Sequence, residues 1–321
     1  MDIQRYFLIG ATAILSYLLL IEWRAFSDEQ TYGTEVSSTQ EKALQNSSLE
    51  STNEIPAATT SPIFEEVPEE MIEPKPTPSF QALTASDTIT LETDVVSVVI
   101  DRHGGDITEV KLIKFPVAIE TPEEPFQLLE SNDRRIYVAQ SGLTGLNGID
   151  SRDGRAYFET TSKNFSLHAN EDKLVAELFF SQTNGISITK RFTLRRSDYL
   201  IDVDYLIDNR STQPWEAKFF AQIKRDSSPQ PTNDQAGMGM KPFLGAATTL
   251  PDKRFEKFTF EDMADEPLQT KISGGWIAMV QHYFLSAWIP PSDQTHTYST
   301  RQTTSGFNIA GLISPATIVP A

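Results

Sequence analysis

An unbroken apolar run, Tyr6 to Ile21 (YFLIGATAILSYLLLI), restricts this chain more than any other feature. Arg5 precedes it, and Glu22, Trp23 and Arg24 follow it. At about 1.5 Å per residue, a helix of roughly sixteen residues covers about 24 Å, a little under the ~30 Å hydrocarbon core of a bilayer. Trp23 and the Ala25-Phe26 pair carry the apolar surface on into the interface, where an indole ring prefers to sit. The rest of the sequence is polar and β-patterned, without a second run of that length. The chain therefore reads as one anchor in a lipid bilayer with a large cargo on one side.

Three readings of the run compete: an uncleaved signal-anchor, a cleaved secretory signal and a buried soluble helix. A cleaved signal has an apolar stretch of about 7–15 residues and a small-x-small cleavage site. The Ala-x-Ala here, Ala11-Thr12-Ala13, sits inside the run, and its exit carries bulky and charged residues instead. The signal-anchor fits better. Arg5 and the terminal amine, set against Arg24 with Asp28 and Glu29 beyond it, give a small bias toward a cytoplasmic amino end.

Composition narrows the function. The 321-residue chain has no cysteine, which removes disulfides and thiolate chemistry together. A net charge of −17 argues against nucleic-acid binding, which needs a basic footprint, and against a body lying flat on an anionic membrane. About eleven acidic residues against Lys42 and Lys75 place roughly half of that charge between Ser27 and Ser86. That segment is also rich in Pro, Ser and Thr, and it cannot bury enough apolar surface to offset ordering entropy. Residues 27–86 are expected to be a disordered, acidic linker. A docking motif for a basic partner is the competing reading.

From Asp87 on, short apolar-alternating segments begin, and residues 87–321 read as an all-β domain of two packed antiparallel sheets. Thr88–Thr93 and Val95–Asp101 are expected strands, and the paired glycines of His103-Gly104-Gly105-Asp106 supply a tight reversal before Ile107–Ile113. The stretch holding Pro125-Phe126-Gln127-Leu128-Leu129 and Ser141-Gly142-Leu143-Thr144-Gly145 reads as looped. A meander follows, with Leu174–Ser181 and Ile186–Leu194 joined at Asn184-Gly185, and Tyr199–Asp208 after them. Lys190 is the one charge on the apolar face of its strand. Gly274-Gly275-Trp276 opens an apolar-aromatic run to Trp288 that reads as a central strand pair, and a short helical turn is expected near Phe260–Asp265.

Catalytic signals are thin. His103, His168, His282 and His296 are scattered without metal-ligand spacing, and no Gly-x-Ser-x-Gly elbow is present. Asp202 and Asp204 share a strand face about 7 Å apart, a separation at which glycosidases place an acid and a base, yet they also suit the wet side of a strand. Trp215, Trp276 and Trp288 could line a sugar or peptide cleft or fill a core. No catalytic residue, cofactor site or metal site is nominated.

Several motifs, in order, carry a resemblance: the anchor with its flanks Arg5, Trp23 and Arg24, HGGDITEVKL (Gly104, Gly105, Asp106), EPFQLLE (Pro125, Phe126), YVAQSGLTG (Gly142, Gly145), RRSDYLIDVDY, and GGWIAMVQHYFLSAWIP (Gly274, Gly275, Trp276). Together they resemble the amino-terminal part of the Gram-negative YidC family of membrane protein insertases. The resemblance implies a single-pass inner-membrane protein in this chain, with its amino end in the cytoplasm. Residues 1–26 would be the anchor, 27–86 the linker and 87–321 a periplasmic β-supersandwich similar to sugar-mutarotase domains. It implies insertion and folding of membrane proteins, alone or beside the Sec translocon and its accessory periplasmic subunits, with nascent membrane proteins as clients. The family's groove arginine and helical core have no counterpart in this sequence, so the chain is expected to supply anchor and scaffold, not an enzyme. The domain is also expected to lack its C-terminal end, leaving an open pairing edge. Two alternatives stay open: a tethered carbohydrate-binding or carbohydrate-active sandwich, and an adaptor that docks a partner through a sheet edge.

Overall fold

A computed structural model describes residues 87–151, 154–228 and 242–321. The anchor, its flanking Arg5, Trp23 and Arg24, and the acidic linker lie outside the described residues.

The chain starts with β1 (Thr88–Glu92), β2 (Val96–Asp101) and β3 (Asp106–Pro116), an antiparallel meander whose second turn is the glycine pair. Gly104 and Gly105 both take positive φ, 75° and 65°, which few other residues adopt without strain. Then come β4 (Pro125–Ser131) and β5 (Ile136–Thr144), followed by the short β6 (Glu159–Thr160) and β7 (Asn164–Ser166). The predicted meander appears as β8 (Lys173–Ser181), β9 (Ile186–Arg195) and β10 (Ile201–Asn209). The remaining strands are β11 (Trp215–Arg225), β12 (Leu244–Thr248), β13 (Glu256–Thr259), β14 (Gln269–Ser273), β15 (Ile277–Gln281), β16 (Phe284–Trp288), β17 (Thr295–Gln302) and β18 (Asn308–Val319). One helical turn, α1 (Phe260–Asp265), follows β13 as expected; Thr259 and Asp262 close its start in a reciprocal capping box.

These strands form one ten-stranded sheet, ordered β14-β17-β18-β11-β5-β4-β3-β2-β1-β7, and two four-stranded sheets, β10-β9-β8-β6 and β13-β12-β15-β16. The main apolar core holds Ile89, Val98 and Ile100 from the large sheet, Leu178 and Phe192 from the first small sheet, and Ile277 and Met279 from the second, with a smaller cluster around Ile186, Ile188 and Trp215. The sandwich therefore has two layers, but the second layer is split. Pairing is antiparallel apart from β1 with β7.

Two expectations need correction. The stretch read as looped contains β4 and β5, central strands of the large sheet. β5 is buried along nearly its whole length, so it shows a continuous run of small and apolar residues rather than alternation. The Ile277–Trp288 pair is a hairpin as read, but β16 is the edge of its sheet, not a central strand. The last strand of the chain, β18, lies between β17 and β11. It is bonded on both sides from Asn308 to Ile313, and beyond that to β11 alone. Along Ala316–Val319 the flank of β18 that faces away from β11 has no strand partner among the described residues.

Candidate functional site: an apolar cleft beside a buried ionic cluster

Three of the motif glycines, Gly104, Gly105 and Gly142, converge on one buried cluster between the large sheet and the β8–β9–β10 sheet. Arg155 lies at its centre. Its guanidinium donates from Nη1 and Nη2 to the two oxygens of Asp106, at 2.9 and 3.0 Å, and from Nε to Asp150 at 2.7 Å. It also donates to the carbonyls of Ser141, at 2.8 Å, and Gly104, at 3.3 Å. Lys190 enters from β9 with no exposure at all, donating to those same carbonyls at 3.1 and 2.9 Å. Tyr205 of β10 reaches Ser141 Oγ at 3.2 Å, and Gln140 donates to Asp106 at 2.8 Å.

The glycines are there because there is no room for a side chain. A Cβ at Gly104 would stand 2.4 Å from Arg155 Nη2, one at Gly105 2.8 Å from Lys190 Cδ, and one at Gly142 2.3 Å from Asp150 Oδ2. Burial depresses the basicity of both cations. For Arg155 the Asp106 and Asp150 charges outweigh that and hold it above its ordinary range. For Lys190 burial wins, and its pKa falls to about 7. With each side-chain nitrogen of Arg155 and Lys190 holding at least one acceptor, the cluster's chemistry is that of a lock fixing the β9–β10 wall to the large sheet.

Beside this lock runs a cleft of about 1250 Å³. Its floor is large-sheet surface such as Val110, Leu112, Ala221 and Leu312; its walls are β10 on one side and β16 on the other. Both wall strands are sheet edges with one unpaired backbone flank. Phe126 packs on Phe284 with ring centres 4.4 Å apart, and Phe115 bridges Phe284 and Tyr199 at 5.4 and 5.9 Å. Tyr283, Leu285 and Ile289 expose 82, 51 and 64 % of their surface at the rim, a concentration of apolar area that monomeric surfaces seldom keep.

The cluster gathers Gly104, Gly105, Asp106 and Gly142, and Phe126 joins the cleft. The remaining motif residues lie elsewhere. Pro125 opens β4, and Gly145, at φ 102°, ends β5. Gly274 and Gly275 turn at positive φ, Gly274 accepting the Tyr298 hydroxyl at 2.6 Å, and Trp276 packs on Phe255. Arg155 and Asp150 had no signal in the sequence, whereas Tyr205 lay on the apolar face of its strand and Lys190 stood out as a cation out of phase in its own. Asp202 pairs with Arg195 at 2.7 Å, and Asp204 stands opposite Arg191 in register, so the two carboxylates are the wet face of β10. Trp215 is core, while Trp288 is half-buried and donates from Nε1 to the Gln222 carbonyl at 3.1 Å.

A family model described as the YidC periplasmic domain matches residues 88–321. This chain belongs to the YidC family. It is 38 % identical over 323 residues to the membrane protein insertase YidC of Pseudomonas entomophila, and 38 % over 322 residues to that of Azotobacter vinelandii. In both cases all of this chain is matched, against 56 % of the relative, so it spans little more than half the length of these YidC proteins. Among solved structures, a galactose mutarotase-like protein from Lactobacillus casei is 10 % identical, covers 73 % of this chain and 95 % of its own, and gives a TM-score of 0.43.

Proposed function

We propose that this chain supplies the membrane anchor and the periplasmic part of a YidC insertase of the inner membrane. Residues 6–21 hold it in the bilayer, with Arg5 at the cytoplasmic interface and Trp23 and Arg24 at the other. Residues 27–86 are the tether, and the domain from residue 87 stands in the periplasm as a non-catalytic scaffold. Membrane proteins in the course of insertion are the clients, and the Sec translocon with its periplasmic subunits is the partner. The observation that carries this reading is the family match from residue 88 to residue 321.

Within that role, the cleft is the working surface of the domain. An extended apolar segment can bury its side chains on the floor while its backbone bonds to the open flank of β10 or β16. A photo-crosslinking residue at Tyr283 in the full chain tests this in cells. Adducts with newly made membrane proteins, absent when the probe replaces Ser305, which is exposed and does not line the cleft, are the expected result. Equal yields at both positions, or no adduct at Tyr283, would refute it.

A further inference from the structure

Three turns meet at one end of the cleft, and each carries large apolar side chains into solvent. The end of β3 and the loop after it bring Phe115, Val117 and Ile119, the β9–β10 turn brings Tyr199 and Leu200, and the β15–β16 turn brings Tyr283. Phe115 packs against both Tyr199 and Phe284, so the three turns are neighbours. Five of these six residues line the cleft, whereas Ile119 lies two residues beyond Val117 and outside it. Ile119 and Tyr283 are the most exposed of the six, at 92 and 82 %.

Two of the turns are also strained. Ser197, at φ 57°, and His282, at φ 46°, are the non-glycine residues with positive φ among the described residues, and they flank Tyr199 and Tyr283. Asp94 fixes Ser197 by accepting from its N–H and its hydroxyl, both at 2.9 Å. The His282 ring stacks on Tyr283 with ring centres 3.7 Å apart. Such conformations cost stability, and they cluster where a surface is held ready for work. Around the tips the charge is acidic, with Glu120, Glu123 and Glu124 exposed on the β3–β4 loop against Lys114. An apolar segment lying in the cleft covers the floor and walls but leaves Ile119 bare. Aliphatic and tyrosine side chains together on exposed tips suit the headgroup region of a bilayer, where an aromatic ring with a polar end prefers to sit.

We propose that the three tips rest in the headgroup region of a zwitterionic phospholipid surface and hold the mouth of the cleft against the membrane. This rests on the anchor reading above: residues 6–21 in the bilayer and a tether of residues 27–86 keep that surface at high local concentration, so a few apolar side chains suffice. The acidic residues beside the tips turn them away from anionic lipid. A client segment then passes between the membrane surface and the cleft floor without crossing open solvent.

Lipid quenching in the full chain tests it, with one chain per phosphatidylcholine nanodisc so that no second copy is in reach. Single cysteines carry an environment-sensitive fluorophore, and headgroup-nitroxide phosphatidylcholine is the quencher. Emission should be lost at Leu200→Cys and Tyr283→Cys and kept at Ser305→Cys, which is exposed and does not line the cleft. Adding Ile119→Asp, a change at an exposed loop residue, should restore the emission at Tyr283→Cys, and phosphatidylglycerol in the disc should weaken the quenching. A label at Ala25→Cys, beside the anchor, separates the two readings. Quenching there but at neither tip overturns the membrane contact and leaves the anchor standing; quenching at the tips alone supports the contact and refutes the anchor. Equal quenching at Ser305→Cys, quenching that survives Ile119→Asp, or client adducts at Tyr283 without any lipid quenching would also overturn the proposal, the last assigning the tips to protein.

Discussion

At the residue scale, the glycines and charges of the buried cluster stand or fall together. Gly142→Ala forces a methyl against Asp150 and the Phe220 ring, 2.3 and 2.6 Å away, and such overpacking costs about 1–3 kcal/mol. Urea unfolding should register that loss. Arg155→Met, which strands Asp106 and Asp150 without their counter-charge, should lose more, about 3–5 kcal/mol. Lys190 gives the cluster a pH signature. Its folded pKa, about 7, lies below the ordinary lysine value, so between pH 7 and 10 the unfolded chain binds a proton that the folded one does not. Stability should therefore climb with pH across that window, and Lys190→Met should flatten the climb. Raised Tyr137 and Tyr205 work in the opposite sense only near and above pH 10, outside most of that window. The motif glycines were legible as turn and family residues, but the reason for them was not. It lies in Arg155 and Asp150, loop residues that carry no periodic signal and meet Gly104 and Gly142 only once the layers pack.

At the element scale, strands with one wet face were easy to read, because alternation in β9 and β10 maps directly onto burial. β5 was misread for the complementary reason, having no wet face to alternate with. The central or edge standing of β16 was equally hidden, since partner choice is settled by distant strands. This distinction has a measurable consequence. Amides of Ile309 to Leu312, bonded on both sides between β17 and β11, should exchange with solvent orders of magnitude more slowly than the unpaired amides of β16. Comparable protection of the two strands by hydrogen-exchange mass spectrometry would show that the cleft wall is not an open edge.

At the scale of the whole molecule, the apolar run at one end and the β-sandwich at the other are what the sequence states most plainly. The cleft between the two small sheets is what it states least, because Tyr199, Phe115 and Phe284 come together from three separate strand ends. In the proposed role, the sandwich stands across the membrane from the amino terminus. The absence of cysteine makes that directly testable with single-cysteine variants and a membrane-impermeant maleimide. In intact spheroplasts, Thr304→Cys should label at once and Gln4→Cys only after lysis. Labelling of Gln4→Cys but not Thr304→Cys in intact spheroplasts, or of neither until lysis, would contradict it.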